Sequence, residues 1–185
     1  MRIDAGSHKG LKLVTPEGAD TRPTSDRTRQ AVFNILAHAH DAIRGARVLD
    51  VFAGSGALGL EALSRGAERA TFIESDRTAA EAIKRNIAAC KEQARAQLFI
   101  ADACTPPKAA GAWAPCTLIF LDPPYGKALI PPALVALRNA GWIAPDALIV
   151  AEMHRRDVVE VAGFEPVDDR NYGKARIVLL RTISR

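Results

Sequence analysis

Short apolar runs alternate along this chain with stretches in which apolar residues recur at helical spacing. Val48-Leu49-Asp50-Val51-Phe52 predicts a strand, as do Ala70 to Glu74, Gln97 to Ala101, Leu118 to Leu121 and Ala147 to Ala151. Gly56 to Arg65, Arg77 to Lys91 and the segment around Pro132 to Asn139 predict the helices between them. Strand and helix alternating at this interval imply βαβ units, right-handed crossovers and a parallel sheet covered on both faces. Near the end, Val158 to Val161 and Arg176 to Leu180 predict strands joined by a polar turn around Asp168 to Gly173. With no helix between them, they form an antiparallel closing hairpin. The expected fold is α/β and Rossmann-like, a mostly parallel seven-stranded sheet with an antiparallel last strand.

Residues 1–24 differ from this pattern. Ile3, Leu11, Leu13 and Val14 are broken by Gly6, Gly10, Pro16, Gly18 and Pro23, which predicts an extended arm of short strands and turns. A helix follows, with Thr24 or Ser25 as its cap and Ala31, Val32, Phe33, Ile35 and Leu36 on its apolar face. The 185 residues, 48% hydrophobic, suffice for one α/β core. The expectation is one domain over 1–185, with 1–44 as a short β/helix extension and 45–185 as the core.

Charge adds little, since a net +4 permits a polyanionic partner without requiring one. Cys90, Cys104 and Cys116 are odd in number and too widely spaced for a zinc knuckle, so they read as small packed thiols in a reducing cytoplasm. His38 and His40 lie two apart on a helical segment and point to different faces, so no metal site is expected. The start of the chain has no charged leader followed by a long apolar run, and no apolar stretch approaches a membrane span; secretion and a membrane partner are not expected.

Two segments carry chemistry. Asp50-Val51-Phe52-Ala53-Gly54-Ser55-Gly56-Ala57-Leu58-Gly59 follows the first core strand and opens a helix, which brings backbone close to a ligand. Gly54, Gly56 and Gly59 also satisfy a dinucleotide pattern, and Glu74 ends the next strand where a ribose-binding acid belongs. Asp50 points elsewhere. A carboxylate directly before the turn repels a pyrophosphate and suits a cation such as the amino group of S-adenosylmethionine. The candidate cofactor residues are Asp50, Phe52, Ala53, Gly54, Ser55, Gly56, Glu74, Ser75, Asp102 and Ala103. Glu74 would accept from the ribose hydroxyls and Asp102 from the adenine amino group; as a structural element, Asp102 would cap the turn through Cys104.

The second segment, Asp122-Pro123-Pro124-Tyr125, ends the fourth strand on the same sheet edge. The two prolines fix φ and remove two N–H donors, so the turn presents acceptors alone. That suits methylation of an exocyclic amine, whose lone pair must be drawn out of the ring. Asp122 and the Pro123 carbonyl would each accept an amino hydrogen, and Tyr125 would stack on the base. The candidate catalytic residues are Asp122, Pro123, Pro124 and Tyr125.

The chain resembles the bacterial small-subunit ribosomal RNA guanine-N2 methyltransferases, the RsmD family. The likeness runs nearly end to end. It includes Arg2-Ile3, Gly6 to Leu13, Arg22-Pro23-Thr24-Ser25-Asp26-Arg27, Phe33-Asn34-Ile35-Leu36, the Asp50 to Gly59 turn, Asn86 and Asp122-Pro123-Pro124-Tyr125. After Tyr172-Gly173, where relatives commonly have a threonine, this chain has Lys174-Ala175. The resemblance implies a class I methyltransferase fold and methyl transfer from S-adenosylmethionine to N2 of one guanine in 16S rRNA of the small subunit. A cytoplasmic monomer is expected. In that setting Lys9, Lys12, Arg22, Arg27 and Arg29 are expected to contact phosphates. The glycine and Asp-Pro-Pro-Tyr motifs are shared with DNA adenine methyltransferases, which leaves adenine-N6 methylation as an alternative. A third is a non-catalytic RNA-binding or assembly module that retains a cofactor pocket.

Overall fold

The computed structural model describes residues 1–16 and 23–183, with residues 23–25 as backbone only. The elements in chain order are α1 (Pro23–His38), β1 (Arg47–Val51), α2 (Ala57–Ser64), β2 (Arg69–Glu74), α3 (Arg77–Cys90), β3 (Ala96–Ile100), β4 (Cys116–Leu121), α4 (Ile130–Asn139), β5 (Ile143–His154), β6 (Phe164–Tyr172) and β7 (Ala175–Thr182). They form a seven-stranded sheet in the order β3-β2-β1-β4-β5-β7-β6. The first five strands pair in parallel, and β7 runs antiparallel to both β5 and β6. The α/β fold is the one predicted.

Alternation along each strand divides the apolar residues into two layers. Val48, Phe72, Leu118, Phe120 and Val150 pack under α1, α2 and α3 through Phe33, Leu36, Leu60, Leu63 and Ile83. Leu49, Val51, Ile73, Ile119 and Leu121 face the other way and meet Leu134 and Leu137 of α4. The order of strands reverses between β1 and β4, so the chain leaves these neighbours toward opposite faces and opens a crevice beyond their carboxyl ends. Gly59 tightens one wall of it. A Cβ there would stand 2.4 Å from the Phe72 ring, so only glycine lets α2 settle this close to β2.

The amino-terminal arm is folded onto α2 and α3. Arg2 and Lys12 form an antiparallel bridge, and Ile3 and Leu13 are buried in the same core as Phe33 and Leu60. Glu61, fully buried on α2, accepts from the N–H groups of Asp4 (2.8 Å) and Ala5 (3.1 Å) and from Arg65 (2.6 Å). Ser64 Oγ donates to the Ala5 carbonyl and accepts from the His8 N–H. Gly6 passes so near Ser64 that a Cβ would overlap its carbonyl oxygen at 1.8 Å. Asn86 of α3 then closes the arm by exchanging two hydrogen bonds with Val14.

Four expectations change. The strand predicted at Val158 to Val161 is a loop, and the turn predicted around Asp168 to Gly173 is mostly strand β6. As the sheet edge, β6 pairs only with β7 and carries exposed Glu165, Asp169, Arg170 and Asn171, so it has little apolar periodicity to detect. Strand β5 extends past the predicted Ala147 to Ala151 at both ends. Helix α1 begins at Pro23, a residue tolerated in a first turn, so Thr24 and Ser25 lie inside it and their side chains fall outside the described residues.

Candidate functional site

The carboxyl ends of the parallel strands bring the acids together. The alternation that places Val48, Phe72 and Val150 under the three helices also turns Asp50, Glu74 and Glu152 toward that face, and Asp122 follows one residue beyond β4. Two cavities adjoin there. The smaller, of about 160 Å³, is walled by Asp50, Phe52, Ala53, Gly54 and Ser55 of the glycine turn, with Asp122 and Glu152 opposite. The larger, of about 350 Å³, is walled by Pro123, Pro124 and Tyr125, with Leu129 and Met153 deeper and Glu152 shared with its neighbour. One proline-rich turn therefore faces both spaces.

The glycine turn is held open by unusual backbone. Phe52 has φ +60°, a left-handed conformation costly for a bulky residue, while Gly54 (+57°) and Gly56 (+76°) occupy that region without penalty. Such strain persists where its surroundings enforce it. Glu74 supplies part of that enforcement: it accepts the Gly54 N–H at 2.8 Å through one oxygen and the Asp76 N–H at 2.8 Å through the other. Asn86 adds a bond to the Ser55 carbonyl at 2.9 Å, so one buried amide links the arm to the turn. Gly56 caps α2, and Asp50 accepts the Gly59 N–H at 2.9 Å in that helix.

Asp50 is almost wholly buried. Burial pushes its carboxyl up to about 8, opposed by the Gly59 N–H and assisted by the charge of Glu74. A buried acid in this state gains from a cation placed beside it. On the neighbouring strands, Ser75 is exposed next to Glu74, and Asp102 accepts the Cys104 N–H at 2.8 Å, the capping role foreseen as its structural alternative. Ala103 is buried in the core on the α4 side, so its methyl serves packing.

Tyr125 donates to Glu152 Oε1 at 3.0 Å, and its ring meets His154 edge-on at 5.9 Å. Glu152 had no place among the sequence candidates. Its signal was the one that marked Glu74, an acid closing an apolar run, here Leu148-Ile149-Val150-Ala151. Met1 was also missed; it accepts a hydrogen bond from Ser55 through sulfur at 3.6 Å and helps wall the smaller cavity.

The expected RNA contacts separate into two kinds. Lys9, Lys12 and Arg27 are exposed. Arg29 corrects the expectation: it is 6% exposed, and its guanidinium donates to Asp4 (3.1 Å), Asp26 (3.0 Å) and the Arg2 carbonyl (2.8 Å). Its charge is neutralised within the chain, so it anchors the arm. Arg22 lies outside the described residues. Among the three cysteines, Cys90 and Cys116 are buried and Cys104 is half-buried; burial pushes the Cys116 thiol up to about 12.

The family model described as Conserved hypothetical protein 95 matches residues 1–181. Ribosomal RNA small subunit methyltransferase D of Escherichia coli K12 is 40% identical over 158 residues, which cover 82% of this chain and 74% of that protein. The chain belongs to the RsmD family. YlbH of Bacillus subtilis 168 is 38% identical over 159 residues, covering 85% and 84% of the two chains. Among solved structures, the Escherichia coli protein yhhF superimposes with a TM-score of 0.85 at 35% identity, covering 100% of this chain and 99% of that one. The activity of an RsmD-family chain is methylation of ribosomal RNA. The resemblance drawn from the arm and the two motifs is borne out.

Proposed function

We propose that this protein transfers a methyl group from S-adenosylmethionine to the exocyclic N2 of a guanine in 16S rRNA of the small ribosomal subunit. One observation carries the reading: the Asp122 to Tyr125 turn stands between a cavity built on the glycine turn and a second cavity large enough for a base. The name of the Escherichia coli relative supports the substrate class.

The residues of the smaller cavity and of the neighbouring strand ends fit the cofactor. Asp50, unfavourable as a lone buried anion, suits its ammonium or sulfonium charge. Glu74 has acceptor capacity beyond its two backbone N–H partners and suits a pair of ribose hydroxyls. Asp102, with Ser75 and Ala103 in the adjoining turns, would border the adenine. The cofactor supplies a methyl group on a cationic sulfur. The chain's own residues orient the acceptor: Asp122 and the Pro123 carbonyl take the amino hydrogens and draw the nitrogen lone pair out of conjugation, while Tyr125 fixes the plane of the base. The nitrogen so oriented would accept the methyl group that the cofactor supplies and would lose its extra proton afterwards.

On this reading residues 1–44 form an RNA-contacting extension of a single domain whose catalytic core is 45–185. Exposed Lys9, Lys12 and Arg27 would meet phosphates, with Arg22 in the same segment. We place the protein in the cytoplasm as a monomer. Among the described residues no helix is long and apolar enough to cross a membrane.

The test is incubation with radiolabelled S-adenosylmethionine and, separately, small subunits, free rRNA and duplex DNA, followed by nucleoside identification. N2-methylguanosine from small-subunit RNA, reduced about 1,000-fold in Asp122→Ala, is the expected result. N6-methyladenosine in DNA would replace the proposal with the adenine reading, and cofactor binding without label would replace it with a non-catalytic RNA-binding module.

A further inference from the structure

Beside Asp122 stands a second acid that the transfer step does not require. Strands β4 and β5 pair Leu121 with Ala151, so Glu152 follows one residue later next to Asp122, on backbones roughly 4.8 Å apart. Tyr125 donates to Glu152 at 3.0 Å. Glu152 also walls both cavities, so it lies where donor space and base space meet.

We infer that Glu152 reads the Watson–Crick edge of the target base by accepting its N1–H, and so selects guanine over adenine. This inference rests on the guanine-N2 proposal. The Watson–Crick edge of guanine presents an N2 amino group and, directly beside it, the N1–H donor. With Asp122 and the Pro123 carbonyl holding the two amino hydrogens, a neighbouring carboxylate meets N1–H. Adenine also offers an amino group, but its N1 is a lone pair. That lone pair would face an anionic oxygen with no hydrogen between them. A site built to accept a hydrogen bond rejects an analogue lacking the donor far more strongly than an apolar pocket rejects a change of shape. Enzymes that act on an unstacked base read this edge in the same way.

The test compares guanine with 2-aminopurine at the methylated position of 16S rRNA reconstituted into small subunits. 2-Aminopurine retains the N2 amino group, and its N1 carries a lone pair in place of the hydrogen. The expected wild-type result is a kcat/KM for 2-aminopurine about 100-fold below that for guanine. The Glu152→Gln variant keeps an acceptor for Tyr125 and can turn its amide donor toward N1. It should lose about tenfold on guanine and bring the two bases within about threefold of each other. Wild-type protein that methylates both bases equally would overturn the inference and leave the guanine proposal standing. So would a Glu152→Gln variant that methylates guanine with the wild-type preference intact. If the variant is inactive on both bases, the wild-type ratio alone decides. Absence of N2-methylguanosine from the wild-type reaction removes the proposal and this inference together.

Discussion

The molecule contains two sets of acids, held in different ways. Under the arm, Glu61 is paired with Arg65, Glu92 with Arg95 and His8, and Asp4 with Arg29. At the carboxyl edge of the sheet, Asp50, Glu74 and Asp102 are held by backbone N–H groups of Gly59, Gly54, Asp76 and Cys104. Among the described residues none of these three forms an ion pair. On the proposed reading the difference separates acids of the fold from acids of the site. An acid that serves the fold is neutralised by a cation of the same chain, whereas an acid oriented by neutral donors has no such cation and, on the proposed reading, meets the ligand's. Both sets meet at Asn86, which ties the arm to the carbonyl of Ser55.

Breaking the first set should produce the largest change in stability. Glu61→Ala removes an acceptor from two arm N–H groups and leaves the half-chelated Arg65 beside the void. Truncating one partner of a buried pair costs roughly 3 to 5 kcal/mol. Urea denaturation should show that loss, and limited proteolysis should cut near the arm first. A cost under about 1 kcal/mol would mean that solvent replaces the arm's contacts freely, and the contrast between the two acid sets would fail.

Asp50 sharpens the contrast through its proton. With its carboxyl raised from 3.8 to about 8, the folded chain keeps a proton that the unfolded chain has already lost above about pH 4. Stability without ligand therefore falls as pH rises from about 4 to 8, and Asp50→Asn removes that slope. A bound cation reverses the preference. At pH 7 the binding of S-adenosylmethionine should release nearly one proton from the wild type and almost none from Asp50→Asn, read by calorimetry in buffers of different ionisation enthalpy. The variant should bind about 10- to 100-fold more weakly, the range expected for one charge-assisted contact. Equal proton release in both proteins would show that Asp50 does not meet the ligand's charge.

Much of this site was legible because its residues are local to strand ends. Asp50 to Gly59 and Asp122 to Tyr125 announce themselves by turn chemistry directly after apolar runs, and Glu74 by its place at the end of the next run. Glu152 escaped because its importance depends on register: only the pairing of Leu121 with Ala151 sets it beside Asp122. Arg29 was misjudged for a similar reason. A basic residue at a helix entry looks solvated until the chain folds Asp4, 25 positions away, onto it. The edge strand β6 was read as a turn since its order comes from pairing with β7 and from the Asp169–Arg176 ion pair, not from an apolar stripe. Long-range pairing is the information that a periodic pattern does not contain.

The smallest effect is expected where the two acid sets come nearest to resembling each other. Glu152 accepts from the neutral phenol of Tyr125. Tyr125→Phe keeps the ring that would stack on the base and removes only the hydroxyl hydrogen that Glu152 accepts. Because Glu152 is half-buried, water can take over part of that role, so the cost should be about 1 kcal/mol, or about fivefold in kcat/KM. Tyr125→Ala also removes the stacking face, worth about 1 to 3 kcal/mol, and should fall about 50-fold. If the phenylalanine variant were as poor as the alanine one, the hydroxyl would be the functional part of the side chain, and Tyr125 would serve to orient an acid rather than to hold a base.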